Sequence, residues 1–188
     1  MSQTPEQIAS QLGQVIKNPG QPPLDQWHPE LSGDMDLRVA RDGQWIYQGE
    51  PLAREAIVRL FSTILRREQD GEFYLVTPVE KWRIEIEDTP LLAHSLTVTG
   101  EGQDQILSLT TNVGETLEVG PDHSLEVGSY PDSDEPRPVL HLRHGVTARL
   151  VTAAFYDLAD YVVEREGADG VELGVYSHGI FYKIGQGG

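Results

Sequence analysis

The sequence predicts an α+β protein of two lobes, and three observations carry that reading. Short runs alternate apolar and polar residues and end at Gly turns, as strands of half-buried sheets do. Two longer stretches, 51–68 and 147–164, instead repeat apolar residues at helical spacing. A hairpin near the start also lines up without gaps on one near the end. Val39-Ala-Arg-Asp-Gly43-Gln-Trp45-Ile-Tyr-Gln-Gly49 matches Val175-Tyr-Ser-His-Gly179-Ile-Phe181-Tyr-Lys-Ile-Gly185 in its Val, its turn Gly, its aromatic and its closing Gly. The expected organisation is an N-terminal helix and Pro-rich arm over residues 1–30, a first α+β lobe over 31–90, and a second, β-rich lobe with a late helix and hairpin over 91–188.

Each element has a local reason. Thr4-Pro5-Glu6 marks a helix start, and Ile8, Leu12, Val15 and Ile16 form its apolar stripe until Asn18-Pro19-Gly20. Pro22-Pro23 through His28-Pro29 reads as extended chain, with Trp27 as its anchor to the body. Met35, Leu37 and Val39 alternate along a strand, Asp42-Gly43 supplies a two-residue turn, and Gln44 to Gln48 returns. From Pro51 to Glu68 the pattern is helical, burying Ile57, Leu60, Phe61, Ile64 and Leu65, and Asp70-Gly71 stops it. Strands follow at Tyr74 to Thr77 and around Trp82, Ile84 and Ile86. In the second half, strands are expected at 96–99, 105–111, 117–119, 125–127 and 139–142. A helix is expected over 147–164, then a hairpin turning at His178-Gly179.

Composition excludes several classes of function. Of 188 residues, 38% are hydrophobic and 23% charged, as in globular rather than disordered chains. Fourteen Lys and Arg face thirty Asp and Glu, for a net charge of −16. That balance argues against a nucleic-acid polymer or an anionic membrane as partner, because both are gripped by surplus cations. With no cysteine there is no disulfide, thiolate catalysis or thiolate metal site. No apolar run approaches a membrane span, and the first residues lack the basic and apolar regions of a signal peptide, so a cytoplasmic protein of bacterial type is expected. Only Lys17, Lys81 and Lys183 are lysines among the fourteen basic residues. That bias suits either a salty cell or a GC-rich genome, and it identifies no function.

Catalytic motifs are scarce. There is no Gly-x-Ser-x-Gly elbow and no Gly-rich phosphate loop, so neither a catalytic residue nor a cofactor is predicted. Ser177-His178 falls on a turn. His141 and His144 sit at an odd offset that sends strand side chains to opposite faces. Asp34 and Asp36 share a strand face near Asp42, a hard-cation pattern that an acidic surface also explains, and no metal ligand is assigned. The more informative feature is basic. Arg59, Ser62 and Arg66 fall at helical offsets of three and four, away from the apolar side, with Lys81, Arg143 and Arg149 as further candidates. Arginine forks suit carboxylate or phosphate, so these six residues are the candidate ligand-binding set, placed between the lobes. The alternative is that they pair with the surplus acids.

Several runs resemble the bacterial "domain of unknown function 1285" family. They are Gly33-Asp34-Met-Asp36-Leu-Arg38, Asp42-Gly43-Gln-Trp45-Ile-Tyr47-Gln-Gly49, Val58-Arg59-Leu-Phe61-Ser62-Thr63-Ile-Leu-Arg66 and Leu75-Val-Thr77-Pro78-Val-Glu80-Lys81. Thr111-Asn112, Arg143, Arg149 and Ser177-His178-Gly179 extend the likeness, which runs from about Trp27 to the C-terminus. Relatives carry Cys before Gly-Asp where this chain has Ser32, so no role there depends on a thiol. The resemblance implies two α+β lobes with a duplicated core, and a C-terminal lobe superficially like a pleckstrin-homology domain. It also implies a ligand, nucleotide-like, at the domain interface and a part in signalling. The leading expectation is therefore a non-catalytic binding protein for an anionic small molecule. The alternatives are an enzyme on such a ligand using Asp34, Asp36 or Glu80, and a protein–protein adaptor with exposed aromatic patches.

Overall fold

The computed structural model describes residues 3–15 and 22–187, so Ile16 and the stop at Asn18-Pro19-Gly20 lie outside the described residues, as does the side chain of Val15. Backbone contacts divide the chain into two units, residues 1–90 with 144–146, and residues 91–143 with 147–188.

In the first unit, helix α1 (Pro5–Val15) opens with a reciprocal cap. The Gln7 N–H donates to Thr4 Oγ1 (3.2 Å), and the Thr4 N–H donates to Gln7 Oε1 (2.9 Å). Ile8 and Leu12 are buried. The arm that follows holds one 3-10 turn, Leu24–Gln26, and its anchor is the fully buried Leu24, while Trp27 is half-buried. Strands β1 (Leu31–Val39), β2 (Trp45–Tyr47) and β3 (Glu50–Pro51) meander outward, and helix α2 (Glu55–Thr63) crosses over. Strands β4 (Leu65–Arg67), β5 (Phe73–Val76) and β6 (Lys81–Ile86) then meander back in. The sheet order is β3-β2-β1-β6-β5-β4, with β1 and β6 parallel at the centre and the other neighbours antiparallel.

Two expectations are corrected here. The turn after β1 has three residues, Arg41-Asp42-Gly43. The Ala40 N–H donates to the Gln44 carbonyl (2.9 Å), and Gly43 takes a φ of 89°. The helix expected over 51–68 is shorter at both ends, because Pro51 belongs to β3 and Leu65–Arg67 is a strand paired with β5 through Leu65 opposite Leu75. Leu65 is buried either way, so the apolar period alone could not tell helix from strand there.

The second unit repeats the plan. Strands β7 (Leu91–Thr99), β8 (Ile106–Thr111) and β9 (Thr116–Glu118) run outward, and β10 (Leu125–Ser129), β11 (Pro136–His141) and β12 (Thr147–Leu150) run inward. Their order is β10-β11-β12-β7-β8-β9, with β12 and β7 parallel at the centre. The first and sixth strands of each unit thus meet side by side, so the relation between the lobes is carried by strand order rather than by the two matched hairpins. The hairpin registers differ: Val39 faces Trp45 across a three-residue loop, whereas Val175 faces Tyr182 across a two-residue one.

The helix expected over 147–164 is also corrected. Ala148 and Leu150 are buried on β12, helix α3 (Thr152–Asp157) is short, a 3-10 turn covers Leu158–Tyr161, and β13 (Val163–Gly167) follows. Pairing of β12 between β7 and β11 overrides the helical period. β13 joins β14 (Gly170–Ser177) and β15 (Ile180–Gln186) in a three-stranded sheet whose tip residues His178 and Gly179 both have positive φ, 51° and 75°. That tip is tightly held. Fully buried Ser177 accepts the Leu107 N–H (3.0 Å) and donates to the Val119 carbonyl (2.6 Å), while the His178 and Gly179 N–H groups donate to Gln105 and Gln103. The Ser-His-Gly run is structural glue between β8, β9 and the hairpin. On this sheet the Phe181 ring lies over Gly174, and the Arg165 guanidinium sits 3.9 Å from the ring centroid.

Candidate functional site

Arg59, Ser62 and Arg66 do not share one helix face, because α2 ends at Thr63 and Arg66 stands on β4. Arg59 is exposed on α2. Ser62 is buried and donates its hydroxyl to the Arg59 carbonyl (2.6 Å), a bond within its own helix. Arg143 and Arg149 belong to the second unit, where Arg143 forks onto Glu115 at 3.0 and 3.4 Å and Arg149 lies on β12 opposite Val139 and Leu92.

What the structure does bring together is Arg66 and Lys81 on one carboxylate. Glu68 receives Arg66 Nε and Nη2 on Oε2 (3.1 and 2.6 Å) and Lys81 Nζ on Oε1 (2.8 Å). Arg66 Nη1 donates to the carbonyls of Leu24 and Trp27, both at 3.0 Å, which fixes the arm against the strand edge. Lys81 Nζ also stands 4.8 Å from the centroid of the Tyr74 ring. Partial burial pushes the Glu68 carboxyl up, but the hydrogen bonds from Lys81 and Arg66 outweigh it and hold the group below the ordinary glutamate range.

A folded value below the unfolded one contributes stability above about pH 4.5, and that contribution is lost as pH falls through the folded value. Urea midpoints are therefore expected to drop more between pH 7 and pH 3 for the natural chain than for Glu68→Gln. Equal drops would detach Glu68 from acid sensitivity.

Beside this cluster an open depression of about 550 Å³ is walled by Asp25, His28, Arg66, Arg67, Glu68 and Asp70. The sequence reading missed His28 and Arg67, which the chain places on the arm and on β4. Arg67 Nε donates to the Gly71 carbonyl (3.2 Å), and the guanidinium lies 5.6 Å from the centroid of the Phe73 ring, which leaves both terminal nitrogens without a partner among the described residues. His28 Nε2 donates to the Asp25 carbonyl (2.7 Å), and His144 Nδ1 lies 3.4 Å from Asp25 Oδ1.

The carboxylates weighed for catalysis lie apart from that wall. Asp34, on β1, accepts Arg83 Nε (2.6 Å), and that hydrogen bond holds its carboxyl low. Asp36 is exposed, and Asp42 Oδ1 accepts the Gln44 N–H of its own turn (3.0 Å). Glu80 keeps one buried carboxylate oxygen without a partner among the described residues. No group of three or more His, Asp or Glu side chains that could hold a metal gathers among the described residues. His141 and His144 go separate ways, His141 Nε2 to Glu126 (2.7 Å) in the second unit and His144 to Asp25 in the first. No helix among the described residues is long and apolar enough to cross a membrane.

Comparison with known proteins places these features in a family. The family profile "Domain of unknown function (DUF1285), N-terminal domain" matches residues 22–89, and "Protein of unknown function (DUF1285), C-terminal domain" matches residues 90–184. A crystal structure of a DUF1285 family protein from Silicibacter pomeroyi is 38% identical with a TM-score of 0.88, covering 99% of this chain and 97% of that one. Another, from Shewanella baltica, is 26% identical with a TM-score of 0.52, covering 67% of this chain and 91% of that one. Curated proteins give no match. With both domain profiles matched end to end and a relative aligned over nearly its whole length, the chain belongs to the DUF1285 family.

Proposed function

We propose that the protein is a non-catalytic binding protein that takes an anionic, nucleotide-like small molecule and passes its presence on as a signal. The supporting observation is the depression on the first unit, where Arg67 offers both terminal nitrogens beside His28, Arg66 and Lys81. Its volume of about 550 Å³ suits a ligand of nucleotide size. The surrounding carboxylates of Asp25, Glu68 and Asp70 disfavour a bulky polyanion and leave room for one phosphate held by the Arg67 fork.

A thermal-shift series on the full chain tests this with inorganic phosphate, a nucleoside, and the corresponding nucleoside monophosphate. At a concentration a hundredfold above Kd, a ligand of the folded state adds about 2.7 kcal/mol, or roughly 5–10 °C for a chain of this size. The expected pattern is a rise with the monophosphate, little with the nucleoside, and no rise in Arg67→Ala. Equal shifts with nucleoside and monophosphate, an unchanged shift in Arg67→Ala, or no shift with any of the three overturns the reading.

A further inference from the structure

We propose that a groove on the second unit, between the 3-10 turn Gly102–Asp104 and residues 160–164, docks a basic segment of a partner protein. The groove encloses about 440 Å³, and Gln103, Gln105, Asp160, Tyr161, Glu164 and Tyr176 form most of its wall. No basic side chain lines it, and every charged group that does is a carboxylate. Glu101 and Asp104 flank Gln103 and Gln105, and Asp157 stands just upstream of Asp160, so the same sign of charge continues beyond the rim.

A second, independent observation points the same way. Gln105 is only 7% exposed and spends its amide N–H on the Tyr176 carbonyl (3.0 Å). Its side-chain oxygen then has no partner among the described residues, although the side chain lines the groove. That oxygen opens to the groove and is an acceptor available to an incoming donor. Tyr161 and Tyr176 bring aromatic rings to the lining, and Tyr176 is braced edge-on against Phe181 with ring centroids 5.3 Å apart.

Acceptors beside tyrosine rings in one groove fit an Arg or Lys side chain, with its stem on the rings and Val163 and its head on the carboxylates and the Gln105 oxygen. The same sheet already contains this contact in miniature, with Arg165 stacked on Phe181. A protein segment suits the groove better than a free cation, because apolar surface extends along it. Val163 in the wall is 42% exposed and continues into Val162 and the two tyrosines of the same wall. A chain of net charge −16 also steers basic partners toward it. This docking site lies on the other unit from the anion site, and neither proposal depends on the other.

The test is fluorescence anisotropy of the full chain with a labelled decapeptide of alternating Gly and Arg at low salt. Saturable binding is expected, weakened about tenfold by Asp160→Asn with Glu164→Gln and similarly by Tyr161→Ala. Asp132→Asn with Asp134→Asn removes the same charge from an exposed loop outside the groove and is expected to change Kd less than twofold. Four outcomes overturn the proposal: no saturable binding; groove variants that bind like the natural chain; loop variants that weaken binding as much as groove variants, which would make the attraction a general field effect; or free arginine competing at the concentration of the peptide, which would make the groove a small-cation site.

Discussion

Arg66→Ala is expected to lower the melting temperature of the unliganded chain by roughly 10 °C. The guanidinium spends four donor contacts inside the protein, two on Glu68 and two on the carbonyls of Leu24 and Trp27. Its side chain is 13% exposed, so solvent screens the pair little. Removing Arg66 leaves Glu68 with Lys81 as its remaining cation and takes a donor from each of two carbonyls, a loss of about 3–5 kcal/mol that for this size of domain is on the order of 10 °C. Arg66→Lys should recover little, because one ammonium cannot fork onto Glu68 and reach two carbonyls together. Arg59→Ala, at an exposed position on α2, should stay within about 0.5 kcal/mol of the natural chain. Differential scanning calorimetry of the three variants decides the matter. A near-neutral Arg66→Ala would show that the arm is held by Leu24 alone and would free Arg66 for ligand.

Gly174→Ala should be the most damaging single methyl group in the second unit. A Cβ at this position would overlap Phe181 Cζ and lie 2.5 Å from the Tyr182 carbonyl oxygen. The ring could swing away, but the carbonyl is part of the paired strand β15 and cannot. Overpacking of a core by ordinary side chains costs about 1–3 kcal/mol, and a clash with ladder backbone belongs at or above the top of that range. A fall of about 3 kcal/mol corresponds to roughly 6–12 °C. Adding Phe181→Ala should restore only part of the loss, since the carbonyl contact remains. Full rescue by Phe181→Ala would mean that the strand backbone gives way more easily than its hydrogen bonds suggest.

The sequence carried the fold class and the strands further than the site. Alternation exposed β1, β6 and β8, each of which buries one face, and the His178-Gly179 turn exposed the last hairpin, while β5 was legible as a short apolar run buried on both faces. Periodicity failed where one apolar residue serves two geometries. Leu65 and Leu150 are buried at helical offsets from their neighbours, yet both stand on strands, Leu65 opposite Leu75 on the next strand and Leu150 opposite Ala93 far back in the chain. That failure moved Arg66 off the supposed helix face, and the site went with it. Glu68 gathers Arg66 and Lys81 because β4 and β6 flank β5 in one sheet, a proximity that spacing along the chain cannot show. Arg67 and His28 were invisible for the same reason. The gapless hairpin match rested on turn chemistry, which fixes a Gly without fixing loop length.

The strand order of the two units constrains how the chain reaches its native state. In each unit the central pair joins the first strand made to the last, as where Lys81 on β6 meets Ser32 on β1 from 49 residues away. The two outer meanders can zip locally, but neither sheet closes until its sixth strand has left the ribosome. Closing so long a loop before its contacts form is a large entropic toll, and it slows folding relative to a simple meander. Until then each half-sheet exposes an edge strand from what becomes the middle of the finished sheet, β1 in one unit and β7 in the other. Translation pauses before residue 81 or residue 147 would therefore prolong the interval in which those edges can pair with another nascent copy.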